Sequence, residues 1–96
     1  MKKVYMGSSK LHYNFKMFRI KYQNTYDAER IKEEVMDRMN KYLEKCDGRL
    51  INVKELKKCQ ELIFYFVTGE NGYTDNWEDY LRNNLLKNYN ILPNVV

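Results

Sequence analysis

Alternating apolar and polar side chains predict a strand near the start of the chain. In the second half of residues 14–22, every second side chain is apolar, namely Phe18, Ile20 and Tyr22. The side chains on the other side are mostly basic: Met17, Arg19 and Lys21. In an extended backbone the two sets point to opposite faces of a sheet, so this strand has an apolar face and a basic face. A shorter strand is predicted before it, at residues 4–6.

A helical period follows the strand and predicts the longest helix. The apolar positions recur at steps of three or four residues and form one stripe: Ala28, Ile31, Val35, Met39, Tyr42 and Cys46. We predict Thr25 as the N-cap, ahead of Asp27 and Glu29, because acidic side chains are favoured in the first turn. The helix is predicted to run to about Cys46, and Gly48 is predicted to stop it.

Two further strands and a second helix complete the pattern. Residues 50–56 and 61–68 are predicted to form an antiparallel hairpin, and the second of them, ELIFYFVT, is apolar enough for a central strand. A turn is predicted at residues 69–72, followed by a helix capped by Thr74 or Asp75. Its apolar stripe contains Trp77, Leu81 and Leu85.

The order of these elements, (β)β-α-β-β-α, predicts a single α+β domain over residues 1–96. We expect a two-layer sandwich in which two amphipathic helices cover one face of a three- to four-stranded, mainly antiparallel sheet. A ferredoxin-like arrangement would need a closing strand. Residues 91–96 are too short for one and are interrupted by Pro93.

Charge is concentrated at the start of the chain and adds a candidate binding surface. Residues 1–26 contain six basic side chains and no acidic one, whereas the whole chain carries a net charge of +4. Such a segment suits phosphates, bases or an acidic protein patch. The first candidate partner-binding residues are therefore Tyr5, Lys10, Tyr13, Lys16, Arg19 and Lys21. Two lysines between the hairpin strands come second, Lys57 and Lys58.

A simpler interpretation of the same segment stays open. The aromatic residues can belong to the core while the basic residues form the wet face of an edge strand, where lysine also blocks pairing with other chains. The alternation assigns Phe18, Ile20 and Tyr22 to the core. An exposed basic strip of Lys16, Arg19 and Lys21 then remains for docking.

Catalytic and metal-binding patterns are missing from the sequence. His12 is the only histidine, and its segment contains serines but no carboxylate to orient it. Cys46, Cys59 and His12 offer at most three ligands, one fewer than a structural zinc site uses. Three carboxylates on the first helix, Glu33, Glu34 and Asp37, have basic neighbours at helical spacing and are typical of a solvated face. We predict no catalytic residue, no metal and no cofactor.

The chain is expected to be a reduced, cytoplasmic protein without membrane contact. Its two cysteines are fewer than a small disulfide-stabilised domain usually carries. The start of the chain lacks the apolar segment of a signal peptide, and no apolar run approaches the length of a membrane span.

Three functions remain compatible with this sequence. The first is a non-enzymatic protein that docks on a larger nucleic-acid-handling machine and inhibits it. The second is a small basic module that binds DNA or RNA. The third is an enzyme or enzyme subunit whose site has no recognisable motif. The oligomeric state stays open.

A resemblance favours the first function. The Lys/Asn/Tyr-rich usage in KYQNTYDAERIKEEV and YLRNNLLKNYN is similar to that of small proteins encoded by phages and mobile elements of AT-rich bacteria. A stand-alone α+β domain of this size resembles the anti-CRISPR proteins among them. The resemblance implies inhibition of a host nuclease. Because this chain is basic, it departs from the acidic DNA mimics of that class. The expected contact is an acidic or apolar protein surface, or the guide or target nucleic acid.

Overall fold

Four strands and two helical regions form the part of the chain that the computed structural model describes, residues 14–68 and 77–93. In chain order they are β1 (Asn14–Lys21), α1 (Thr25–Lys45), β2 (Arg49–Leu56), β3 (Glu61–Thr68), α2 (Trp77–Tyr80), a π-helix (Leu81–Leu85) and β4 (Asn90–Ile91). The protein is α+β with antiparallel strand pairing, as predicted, and its described strands form an open four-stranded sheet. The predicted strand at residues 4–6, the turn at residues 69–72 and the caps Thr74 and Asp75 lie outside the described residues.

The strands are ordered β2-β3-β1-β4, and every neighbouring pair is antiparallel. β2 and β3 form the predicted hairpin. β4 was not predicted, because only residues 91–96 were considered for a closing strand. The pairing instead uses Asn90 and Ile91 against β1, and the Leu92 amide donates to the Arg19 carbonyl oxygen at 2.9 Å, all before Pro93. Among the described residues the element order is thus β-α-β-β-α-β, that of the ferredoxin-like motif.

The core lies between α1 and the side of the sheet that carries even-numbered residues of β1 and β3. Phe18 stacks on Phe64 with ring centroids 5.0 Å apart, and it meets the edge of Phe66. The helix contributes a buried stripe to the same cluster: Ala28, Ile31, Val35, Met39 and Leu43. The predicted stripe was incomplete at its C-terminal end: Tyr42 is half-buried against the core, whereas the fully buried position belongs to Leu43, which was not predicted, and Cys46 is half-buried.

Both ends of α1 differ from the predicted caps by one residue. Asn24, not Thr25, is the N-cap, since its Oδ1 accepts a hydrogen bond from the Tyr26 amide at 2.9 Å. At the other end the Cys46 and Gly48 amides both donate to the Leu43 carbonyl oxygen. The residue with the left-handed backbone is Asp47, with φ of 53°, so Gly48 is not the left-handed stop.

The second helical region widens into a π-helix over Leu81–Leu85. The Leu86 amide donates to the Leu81 carbonyl oxygen, five residues earlier, at 2.7 Å. A π-turn brings residues i and i+5 to one side, and Leu81 and Leu86 are both fully buried. The predicted stripe was therefore incomplete: Leu85 is half-buried against the core, and the fully buried Leu86 was not predicted.

Candidate functional site

The sheet has a second face, which points away from α1. Side chains alternate along a strand, so the neighbours of the core residues in β1, β2 and β3 point to this side. We call this surface the outer face; its residues are Phe15, Met17, Arg19, Lys21, Arg49, Asn52, Lys54, Leu56, Glu61, Ile63, Tyr65 and Val67. The second helical region packs on the core side of the sheet, the same side as α1. There Trp77 meets the edge of Phe66, and Tyr80 stacks on Tyr42.

Large apolar side chains are left in water on the outer face. Phe15 is 76% exposed and Ile51, at its margin, is 50% exposed. The two line one cleft of about 470 Å³ together with Arg49 and Val67. Apolar surface that is exposed beside charged side chains is typical of binding sites on soluble proteins.

A second cleft continues the first across the face. It measures about 400 Å³ and is also lined by Phe15 and Ile51, but adds Lys54 and Tyr65. Phe15 lies opposite Val67 in the β1–β3 register, and Tyr65 lies two residues further along β3. The two aromatic residues are therefore diagonal neighbours on the two central strands, with Cα atoms about 7–8 Å apart.

A β-bulge in β2 brings Ile51 to this position. Leu50 pairs with Phe66 and Asn52 pairs with Tyr65. Ile51 therefore has no opposite residue in β3 and is the extra residue of the bulge. A bulge reverses the alternation of side chains beyond it, which keeps Val53 on the core side although it follows Leu50 by three residues. The bulge also breaks the regular hydrogen-bonding edge that β2 would otherwise offer to another strand.

The charged strand residues of the outer face are predominantly basic. Four of those described are basic, Arg19, Lys21, Arg49 and Lys54, and Glu61 is the acidic one. Glu61 already pairs with Arg19, whose Nη1 lies 3.4 Å from its Oε1. The neighbouring carboxylate Glu55 lies on the core side, where its Oε2 accepts a hydrogen bond from the Tyr22 hydroxyl at 2.8 Å. The face therefore presents net positive charge beside the exposed ring of Phe15 and the half-buried ring of Tyr65.

The two sets of predicted basic residues meet at one end of the sheet. The Lys21 Nζ donates to the Cys59 carbonyl oxygen at 2.6 Å, in the turn between β2 and β3. Lys57 and Lys58 are exposed in that same turn. The structure thus brings Arg19, Lys21, Lys57 and Lys58 to one edge of the outer face.

The placement of Lys16 was wrong. It lies on the core side of β1, opposite Phe66, whereas Arg19 and Lys21 point outward. Its Nζ donates to the buried Thr68 hydroxyl at 3.4 Å and lies 6.0 Å from the centroid of the Trp77 ring. Burial lowers the pKa of the Lys16 ammonium, against a smaller opposing effect of Cys46. Lys16 therefore does not belong to an exposed basic strip with the other two.

Several residues on the outer face or at its margin were not predicted as binding residues. They are Phe15, Arg49, Ile51, Lys54 and Tyr65, whereas Tyr5, Lys10 and Tyr13 lie outside the described residues. A signal was present in the run ELIFYFVT, in which Tyr65 occupies the face opposite Phe64 and Phe66. The exposure of Phe15 and Ile51 depends on strand pairing and the bulge, which the sequence pattern does not contain.

Groups with possible chemistry are dispersed in the described structure. Within residues 14–68 and 77–93, no three histidine, cysteine or acidic side chains are close enough to hold a metal ion. Cys46 and Cys59 are free thiols. Of the carboxylates on α1, Glu34 pairs with Arg30 at 3.3 Å and accepts a hydrogen bond from the Tyr89 hydroxyl at 2.6 Å, while Asp37 pairs with Lys41.

Comparison with protein-family models, curated proteins and solved structures finds no match to this chain. No helix in the described part of the chain combines the length and the apolar character needed to cross a bilayer.

Proposed function

We propose that this protein is a non-catalytic binding protein that docks on a nucleic-acid-handling complex through the outer face of its sheet. The observation that carries the proposal is the combination, among the described residues of one sheet face, of exposed apolar side chains and cations with one carboxylate, Glu61, that is already paired. Phe15 and Ile51 supply the exposed apolar surface, and Arg49 and Lys54 flank it. Interfaces share this arrangement of an apolar centre and a polar rim.

The size of the domain supports docking rather than chemistry in a deep pocket. A standard interface buries about 800 Å² on each partner, which one sheet face of a small domain can supply. Aromatic and arginine side chains are frequent anchors in such interfaces, and the outer face offers Phe15, Tyr65 and Arg49.

The resemblance to anti-CRISPR proteins narrows the class of complex. We propose that the partner is a guide-loaded host nuclease in the cytoplasm and that docking blocks it. A net positive outer face suits an acidic protein surface or nucleic acid, so the protein would act without mimicking DNA.

The proposal is tested by cleavage assays with a panel of purified, guide-loaded CRISPR nucleases. The double variant Arg49→Glu/Lys54→Glu should lose inhibition of the nuclease that the wild-type protein blocks. The matched control is Lys41→Glu/Lys45→Glu on α1, which changes the net charge equally at two exposed positions away from the outer face. Thermal melting checks that both variants stay folded.

Two results would refute the proposal. Either the wild-type protein neither binds nor slows any guide-loaded nuclease of the panel, or the outer-face variant and the α1 variant lose inhibition equally. The second result would show that overall charge, not the outer face, governs the effect.

A further inference from the structure

We infer that the outer face binds a single-stranded nucleic acid, with bases stacked on Phe15 and Tyr65. The inference rests on the proposed function, because it takes the outer face as the docking surface and names the part of the complex that occupies it. An acidic protein surface is the competing occupant, and the experiment below separates the two.

The two rings are placed as a stacking platform. Phe15 and Tyr65 come from the two central strands, share one cleft and lie on the diagonal of the β1–β3 register. Phe15 is 76% exposed, so one of its faces is open to a flat partner. Four-stranded sheets that present aromatic residues in this way are used by proteins to stack two or three unpaired bases.

Basic side chains lie beside the two rings, where the phosphates of a stacked strand would pass. The Lys54 Nζ lies 5.6 Å from the centroid of the Tyr65 ring. The ammonium thus covers one face of this half-buried ring, and a base that stacks there would displace it towards the strand's phosphate. Arg49 lines the neighbouring cleft beside Phe15. Rings for the bases and cations for the backbone are the two components of single-strand binding sites.

A single strand fits this face better than a duplex or an acidic peptide. In a duplex the bases stack on one another and leave no free ring face for Phe15 or Tyr65. An acidic peptide would satisfy Arg49 and Lys54 but would bring no flat apolar group to the two rings. Of the three, only a single-stranded nucleic acid offers both a flat base for the rings and a phosphate for the cations.

The test is fluorescence anisotropy with labelled RNA and DNA strands of mixed sequence, about 12 nucleotides long, and with their duplexes. We expect the wild-type protein to bind the single strands more tightly than the duplexes. Phe15→Leu and Tyr65→Leu keep an apolar side chain but remove the ring, and each should weaken single-strand affinity by about fivefold or more. Tyr65→Phe retains the ring and should retain the affinity.

The control variant is Tyr26→Leu, which removes an 89% exposed ring from α1, away from the outer face. It should bind like the wild-type protein, and circular dichroism melting should show all four variants folded. Unchanged affinity in both Phe15→Leu and Tyr65→Leu would overturn stacking. A protein that binds no single strand at low salt but still blocks a nuclease through Arg49 and Lys54 would overturn this inference and leave the proposed function standing. If the wild-type protein binds neither a single strand nor a nuclease, this inference and the proposed function both fail.

Discussion

At Gly48 the chain leaves α1 so close to β3 that a side chain has no room. A Cβ atom there would collide with the carbonyl oxygen of Val67 and would lie 3.0 Å from the Leu43 Cδ2. The backbone oxygen cannot move aside, so we expect Gly48→Ala to lower the free energy of unfolding by about 1–3 kcal/mol. Urea denaturation measures this difference.

The matched control is the neighbouring residue, Asp47. Its φ of 53° is a conformation that glycine adopts without strain. Asp47→Gly should therefore leave stability equal or slightly higher. If Gly48→Ala were as stable as the wild-type protein, the close approach of the two backbones would not exist in solution.

The raised pKa of the Tyr42 hydroxyl leads us to expect that the folded protein loses stability at alkaline pH. Burial, together with Cys46 and Tyr80, raises the pKa of Tyr42 from 10.0 to about 12. Between these values the unfolded chain releases a proton that the folded protein keeps, so stability is full below pH of about 10 and falls as pH rises towards about 12. Tyr42→Phe keeps the ring that stacks on Tyr80 and should flatten this fall.

Thermal melting across that pH range is the measurement. Tyr22, whose pKa is raised by burial and by its hydrogen bond to Glu55, adds to the fall in both proteins. The control is Tyr26→Phe, at an 89% exposed position. Equal pH dependence in Tyr42→Phe and in the wild-type protein would contradict the raised pKa of Tyr42.

Single residues were predictable where one simple rule governs them. Alternation placed Phe18 and Ile20 in the core correctly, and both are fully buried. The same alternation assigns Lys16 to their side of the strand, but its charge led us to group it with Arg19 and Lys21. Gly48 is required by contact with Val67 of a distant strand, and no local pattern contains that contact.

At the level of the elements, the π-helix leads us to expect an order of stability effects that a regular α-helix would not produce. Leu86 is fully buried and Leu85 is half-buried, because the π-turn aligns Leu86 with Leu81. We expect Leu86→Ala to cost about 2–5 kcal/mol of unfolding free energy, and Leu85→Ala to cost clearly less. Chemical denaturation of both variants tests the order.

The reverse order of the two alanine variants would show that this segment is a regular α-helix in solution. The surrounding contacts give an independent check. The Arg38 Nη1 donates to the Leu85 carbonyl oxygen at 3.0 Å, and the Tyr89 hydroxyl bonds Glu34. Both join the segment to α1, so these contacts help to hold the π-turn in place.

Elements with long local patterns could be predicted, and those that depend on pairing could not. The bounds of β3 and the hairpin followed from an apolar run and the intervening polar turn. β4 has two residues and exists because Asn90 and Ile91 meet β1. The bulge at Ile51 and the π-turn likewise arise from packing, so the outer face and its exposed apolar side chains became apparent only in the folded structure.

On the scale of the whole molecule, the position of a charge matters as much as its sign. Arg19 was predicted as a binding residue, but its guanidinium pairs with Glu61 at 3.4 Å and donates to the Pro93 carbonyl oxygen at 3.0 Å. Arg49 was not predicted, and it lies exposed beside the cleft at Phe15. If a single strand binds the outer face, the two arginines should contribute differently to the electrostatic part of its affinity.

Salt dependence measures that difference. Each phosphate neutralised on a single strand adds about 0.7 to the slope of log affinity against log salt. Arg49→Gln should therefore reduce the slope by about 0.7. Arg19→Gln should reduce it less, because Glu61 already neutralises that charge in the free protein and would be left unpaired in the variant. Anisotropy titrations between about 50 and about 200 mM salt give the slopes. Equal slopes for Arg49→Gln and the wild-type protein would show that Arg49 contacts no phosphate. A larger reduction of the slope for Arg19→Gln than for Arg49→Gln would show that the strand displaces Glu61 and follows the β1–β4 side of the sheet.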